Sequence, residues 1–285
     1  MTSLELKKKS LAVREDILTG VHSAKSGHPG GSLSAADIFT CLYFEILRID
    51  PENPQWEGRD RFVLSKGHTA PGLYAAMAER GFFPREELTT LRKIGTRLQG
   101  HPNMRDLPGI DMSTGSLGQG ISTAVGMALG GKLDGKSWRV FTLLGDGELQ
   151  EGQVWEAAMF AGAKKLDNLV VIVDNNNLQI DGTVEEVNSP YPIDKKLEAF
   201  NFRVICVEDG NDMDQLLTAF REAAHTDGRP VAIVCRTVKG KGVSFMEDKA
   251  GWHGKAPNDE QYALAMAELH EAASRLATEE KEAQA

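Results

Sequence analysis

The 285-residue sequence is poor in the features that mark several function classes. Its three cysteines, Cys41, Cys206 and Cys235, are widely separated, so no C-x-x-C redox or metal spacing exists and any single disulfide would strand one thiol. Reduced thiols in a cytoplasmic protein are the expectation. No apolar run approaches the roughly 20 residues needed to cross a bilayer, and the N-terminus, where Lys7, Lys8 and Lys9 lead into mixed polar sequence, shows no secretory apolar core. Positive charge is also short. Thirty-two Lys and Arg against 41 Asp and Glu leave a net charge of −9, which argues against a general nucleic-acid or acidic-membrane binder, because phosphate backbones are held by clustered cations. Any anionic ligand must be held locally. None of the seven histidines shows H-x-x-x-H zinc spacing, and there is no internal repeat and no Ser/Pro-rich linker.

What is present describes a large globular core: 41% hydrophobic residues, 26% charged residues and 29 glycines against 11 prolines. A chain of this length buries roughly 75% of its unfolded surface. Leu4, Leu11 and Leu18, with Val13, Ile17 and Val21 in adjacent rows, predict an amphipathic helix ending near Gly27. Ser34 to Ile49 reads as a second helix, Arg61–Leu64 as a strand, Thr69–Arg80 as a helix and Pro84–Lys93 as a Pro-initiated helix. Compact β-branched runs at Arg139–Leu144, Leu169–Asp174, Arg203–Val207 and Val231–Val238 predict strands, separated by helical patterns at Glu148–Leu166, Ile193–Phe200 and Met213–His225. This alternation predicts an α/β fold, an open, mainly parallel sheet with helices on both faces and ligands beyond the strand C-terminal ends. Residues 1–270 are expected to form the domain, and 271–285 an Ala/Glu-rich tail that frays or is disordered at its end.

The predicted strand 139–144 runs into Gly145-Asp146-Gly147. Glycines there let a backbone approach a ligand, and a helix N-terminus offers N–H groups to an anion; a tight turn with Asp146 as a mere cap is the other reading. The next strand ends in Asp174-Asn175-Asn176-Asn177-Leu178. Consecutive parallel strands bring these two ends side by side. A carboxylate, an amide oxygen and a backbone carbonyl are hard ligands suited to Mg²⁺ or Ca²⁺ shared with phosphate oxygens, although Asn-rich turn chemistry also accounts for the extra asparagines. Four histidines, His28, His68, His101 and His253, stand beside glycine in loops, where ligand contacts concentrate. Thr114–Gly120 is glycine-rich without a Walker or dinucleotide order, so it is either a helix start or a ligand wall. The helix after G-D-G is apolar nearly all round, as in a subunit contact, and Glu151 and Glu156 enter that contact or face solvent.

The G-D-G and N-N pairing resembles the thiamine diphosphate enzymes. Together with Ser26–Gly31, Leu64–His68, Gly100-His101-Pro102, Thr114–Gly120, Gly145–Gly152, Ile180-Asp181-Gly182 and Trp252-His253-Gly254, it most resembles the N-terminal, diphosphate-binding half of transketolase. The resemblance implies Asp146, Asn176 and the Leu178 carbonyl as metal ligands for Mg²⁺ (or Ca²⁺ or Mn²⁺), with Asn175 or Asn177 as alternatives for the amide. It implies Gly145 and Gly147 close to the diphosphate, His68 on the diphosphate, and Gly115 and Leu117 beside the cofactor rings. His28, His101 and His253 would contact the sugar, an imidazole being both donor and acceptor near neutral pH. Glu151 and Glu156 would belong to an acidic network at the dimer interface beside the cofactor, Glu151 counting among the catalytic residues. Ser116 stands where most full-length transketolases have Pro.

Family members sandwich thiamine diphosphate between this domain and a second one that grips the aminopyrimidine and contributes a glutamate. Fewer than 35 residues follow His253, too few for another α/β domain of about 50 residues or more. The expectation is therefore the N-terminal subunit of a split transketolase, partnered by a C-terminal subunit with the pyrimidine-binding domain in an (αβ)₂ assembly. It would move a two-carbon ketol unit from a ketose phosphate to an aldose phosphate through a carbanion held by the cofactor. The alternatives are a subunit of a 2-oxoacid dehydrogenase, a deoxyxylulose phosphate synthase-like enzyme, or a non-catalytic homologue.

Overall fold

The computed structural model describes residues 1–283. Its elements, in chain order, begin with α1 (Ser3–Ala24), α2 (Pro29–Ser34) and α3 (Ala36–Cys41), followed by β1 (Arg61–Leu64), α4 (Ala70–Arg80), α5 (Gln119–Leu133), β2 (Val140–Gly145) and α6 (Gly152–Ala163). Then come β3 (Leu169–Asn175), β4 (Leu178–Gln179), β5 (Gly182–Thr183), α7 (Val184–Asn188), α8 (Ile193–Ala199), β6 (Arg203–Val207), α9 (Met213–Ala223), β7 (Val231–Arg236) and α10 (Asp259–Ala283). Five strands form one parallel sheet in the order β1-β2-β3-β7-β6, while β4 and β5 make a separate small hairpin.

Alternation along the strands builds the two faces. Phe141, Leu143, Val170 and Ile172 pack with α1, α3, α4 and α9 on one side, and Val140, Leu144, Val171 and Val173 pack with α5, α6 and α8 on the other. The parallel, doubly covered sheet is thus the expected one. Because the chain leaves β3 for the edge at β6 and returns to β7 beside β3, the ends of β2, β3 and β7 open into one crevice at the point where strand order reverses. Among the described residues no helix is long and apolar enough to cross a membrane.

Several elements differ from their sequence reading. The helix expected over 34–49 begins earlier, with Pro29 in its first turn, and is interrupted at Ala35. It then closes in a π-turn segment, Leu42–Ile46. Gly30 explains the early start: a Cβ there would lie 2.9 Å from the Trp252 carbonyl, so α2 is wedged against the segment carrying His253. The expected helix 84–93 is instead a 3-10 segment, Arg85–Thr90, in which Thr89 and Thr90 hydroxyls donate to the carbonyls three residues back. The helix α5 is not evident in the sequence beyond its start because Gly120, Gly126, Gly130 and Gly131 depress helix propensity.

The pattern over 148–166 divides into a 3-10 turn, Gly147–Gln150, and α6. At Gly162 of α6 a Cβ would collide with the Phe200 carbonyl, so the end of α8 packs directly on the helix backbone. The residues expected as a tail from 271 continue α10 without a break past 270. Ala265 and Leu269 of that helix are buried in the core face that includes α1, and Lys8 pairs with Glu280 at 2.5 Å. Disorder expected at the very end falls on 284–285, outside the described residues.

Candidate active site

In the sheet register Gly145 of β2 stands opposite Asp174 of β3, which places the two motifs side by side as expected. Asp146 is buried; one carboxylate oxygen accepts the Gly147 N–H at 2.8 Å and the other the Asn177 N–H at 2.5 Å. Asn177 adopts a left-handed backbone with φ 60°, a conformation asparagine tolerates, and this turns the chain back beside the G-D-G loop. The three asparagines then separate by function. Asn175 Oδ1 accepts the Tyr191 hydroxyl at 2.6 Å and Asn177 Nδ2 donates to Glu185, whereas Asn176 lines the cleft and its Oδ1 accepts the Leu178 N–H at 3.1 Å.

The cleft above these residues has a volume of about 310 Å³ and includes Asp146, Gly147, Asn176, Leu178, Lys66 and Lys239 in its lining. Its floor is heavily charged and buried. Lys66 and Asp174 form a buried ion pair, and Asp174 also accepts the Ser34 hydroxyl at 2.7 Å and the Thr237 hydroxyl at 2.5 Å. Lys239 is 2% exposed, donates to the Leu178 carbonyl at 2.7 Å and lies 3.2 Å from His253 Nδ1. Among the described residues it makes no ion pair with a carboxylate. Burial pulls its ammonium down to about 8, with Asp146 and Asp174 opposing. Burial, reinforced by Asp174, pushes Asp146 up to about 6.

These residues fit a divalent cation with an anionic group. A buried carboxylate that resists ionisation next to a second carboxylate is a site that an added positive charge relieves. No group of three His, Cys, Asp or Glu side chains among the described residues is placed to hold a metal. The residues that could hold one are instead a single carboxylate, Asp146, with the neighbouring Asn176 amide and Leu178 carbonyl, hard oxygens of the magnesium type. Gly147 admits a close approach, since a Cβ there would press on Gln179 at 3.3 Å.

The four loop histidines converge. His28 lies 5.2 Å from His68, 6.5 Å from His101 and 5.5 Å from His253 between ring centroids, and His68 stacks on His253 at 5.1 Å. Burial lowers all four: His28 to about 4, helped by Arg92, and His253 to about 3, helped by Lys239. His68 falls well below its ordinary value and His101 falls as well, with Lys66 and Arg92 respectively adding to burial. The cluster is therefore neutral at pH 7, and each ring can both donate and accept.

The remaining expected residues separate. Leu117 and Glu151 line the cleft, and Gly145 closes it below. Gly115 does not line it; a Cβ there would lie 3.1 Å from the His101 ring, so it backs that histidine. Glu156 is on the exposed face of α6, away from the cleft lining, and Glu151 is also exposed, so within this chain neither carboxylate is buried. On the same helix Met159 and Phe160 are 60% and 40% exposed. The sequence reading missed Lys239, Asp174, Glu148 and the partnership of Lys66. The available signal was a lysine at each strand end, in Ser65-Lys66-Gly67 and Val238-Lys239-Gly240.

Known proteins resemble this chain in sequence and fold. The family profile "Transketolase, thiamine diphosphate binding domain" matches residues 7–272. The chain is 46% identical over 266 residues to "6-deoxy-6-sulfo-D-fructose transketolase subunit SqwG" of Clostridium sp. (strain MSTE9), covering 93% of this chain and 96% of that protein. It is 43% identical over 266 residues to an apulose-4-phosphate transketolase subunit of Phocaeicola vulgatus, covering 93% and 94%. The crystal structure of transketolase from Campylobacter jejuni superposes with a TM-score of 0.89 at 32% identity, over 95% of this chain but only 43% of that one. The chain thus spans less than half of that solved transketolase and nearly all of the two subunits.

Proposed function

The chain belongs to the family of transketolase thiamine diphosphate-binding domains, and we propose that it is the N-terminal subunit of a split transketolase, moving a two-carbon ketol unit from a ketose phosphate to an aldose phosphate. One observation carries the reading: a metal–diphosphate end shares a cleft with His68 and His253, against which His28 and His101 converge from just outside its lining, and the cleft's apolar residue Ile180 is left 64% exposed. Relatives matched over nearly their whole length are named as subunits, which supports a partner that covers this rim. The partner in this reading carries the pyrimidine-binding domain, and the exposed Met159 and Phe160 on α6 support an (αβ)₂ assembly.

Thiamine diphosphate, when bound, supplies an electron sink for the two-carbon unit. Asp146, Asn176 and the Leu178 carbonyl would hold Mg²⁺, with Ca²⁺ or Mn²⁺ as substitutes. Gly147 would leave room for the diphosphate, and His68 and Lys239 would donate to its oxygens. Leu117 and Ile180 shield the rings from water. His28, His101 and His253 orient the sugar hydroxyls and carry a proton to and from the substrate carbonyl oxygen. Their burial matters here, because an imidazole already protonated at neutral pH could not accept that proton.

The test is turnover of a panel of ketose donors, including sulfonated and phosphorylated ones, by this chain with and without its partner in Mg²⁺ and thiamine diphosphate. Activity is expected only from the pair. Full turnover by the isolated chain removes the split-enzyme reading, and turnover of pyruvate in place of ketoses favours another thiamine diphosphate reaction.

A further inference from the structure

Glu148 is 2% exposed and makes no ion pair among the described residues, yet its carboxylate ties together three segments distant in sequence. One oxygen accepts the Ser65 hydroxyl at 2.5 Å and the Gly118 N–H at 2.9 Å; the other accepts the Gly145 N–H at 3.1 Å. Ser65 follows the last residue of β1, Gly118 precedes α5 and Gly145 ends β2. The Ser65 hydroxyl oxygen in turn accepts the Ile121 N–H at 3.2 Å, extending the linkage into the first turn of α5.

The three segments are pressed together without slack. A Cβ on Gly120 would lie 2.5 Å from Ser65 Cα, and one on Gly118, at φ 80°, would lie 2.8 Å from Glu151 Cβ. Leu117, next to Gly118, and the Gly145-Asp146-Gly147 turn both line the cleft. We propose that Glu148 is a positioning residue that fixes the spacing between the Leu117 wall and the Gly145–Gly147 turn, and so selects a ligand carrying rings as well as a diphosphate. This rests on the function proposed above.

The chemistry requires a carboxylate. Three donors converge on it, and an amide of the same shape would turn its own N–H₂ toward at least one of them, leaving buried donors opposed. The metal–diphosphate end also draws on Asn176 and Lys239, to which Glu148 makes no hydrogen bond, so it depends less on this spacing.

The experiment measures, by calorimetry on the chain with its partner and Mg²⁺, the affinities of thiamine diphosphate and of inorganic diphosphate for wild type, Glu148→Gln and Ser65→Ala. Glu148→Gln should weaken thiamine diphosphate by about tenfold or more while changing inorganic diphosphate by less than about threefold. Ser65→Ala should show the same selectivity at smaller amplitude, and it decides the matter if Glu148→Gln does not fold. Equal loss of both ligands, or no loss of either, overturns the positioning role. Failure of the wild type to bind thiamine diphosphate overturns the functional reading instead.

Discussion

Lys239 Nζ lies 2.7 Å from the carbonyl oxygen of Leu178, so a buried ammonium holds the oxygen that the proposed divalent ion would also use. With metal and diphosphate bound, the ammonium would stand within reach of a phosphate oxygen as well as the carbonyl, which has a second lone pair to offer. Lys239→Met should weaken thiamine diphosphate by about 10–100-fold, the value of a charge-assisted hydrogen bond in a buried site. It should not lower the melting temperature of the free protein, because the ammonium is buried without a carboxylate of its own. Calorimetry and thermal melts check both. Unchanged affinity would confine Lys239 to holding Leu178.

Asp146 should be a residue at which stability and binding oppose each other. Its carboxyl is raised from 3.8 to about 6 in the folded chain, so between those values the folded state binds more protons than the unfolded one. The stabilisation from the protonated form is present below that window and lost as pH rises through about 6. Asp146→Asn should therefore stabilise the free protein at pH 8 by about 1–2 kcal/mol, part of the gain being offset by the backbone N–H that loses its acceptor. The thermal upshift produced by Mg²⁺ with thiamine diphosphate should disappear. An upshift that persists in the variant would remove Asp146 from the metal site.

The histidine cluster predicts the opposite pH slope. An ordinary histidine titrates near 6.5, whereas His28 is lowered to about 4 and His253 to about 3. Below 6.5 the unfolded chain takes up protons that the folded chain refuses, so stability contributed above that pH is lost as acid is added. Chemical denaturation between pH 7 and 4 should be less steep in pH for His28→Asn/His253→Asn than for the wild type. Equal slopes would mean that the rings are hydrated and ordinary.

The same rings should divide by kinetic effect. His101→Ala and His253→Ala are expected to lower kcat by roughly 10²–10⁴ with little change in cofactor affinity, as for general acid–base groups. His68→Ala should raise the cofactor dissociation constant. Steady-state assays across cofactor and donor concentrations separate the two, and a loss confined to cofactor affinity in all three variants would refute the proton-carrying role.

Much of this is legible in the residues alone. The strands Leu169–Asn175 and Val231–Arg236 fall where compact β-branched runs lie between polar flanks, since a covered parallel strand needs apolar residues on both faces. Asp146, Asn176 and the four histidines are visible because glycine or a strand end accompanies each. What escapes notice depends on tertiary adjacency. Lys66 and Asp174 are 108 residues apart in sequence, and Lys239 reaches the cleft only because β7 returns beside β3, an order that periodicity does not encode. Glu148 reads as one more acid in a helix start. The helix α5 is hidden by glycines whose purpose is close packing, a tertiary demand that overrides local propensity.

The buried cations also set how the protein should respond to ionic strength. Lys66 and Lys239 are each 2% exposed, out of reach of dissolved salt, whose screening acts over roughly 8–10 Å of water at 0.1–0.15 M. The solvent-facing surface meanwhile belongs to a chain of net charge −9 and repels an incoming polyanion. Added monovalent salt should then leave dissociation of thiamine diphosphate nearly untouched while easing its approach, the reverse of the salt response shown by proteins that hold phosphates with surface lysines.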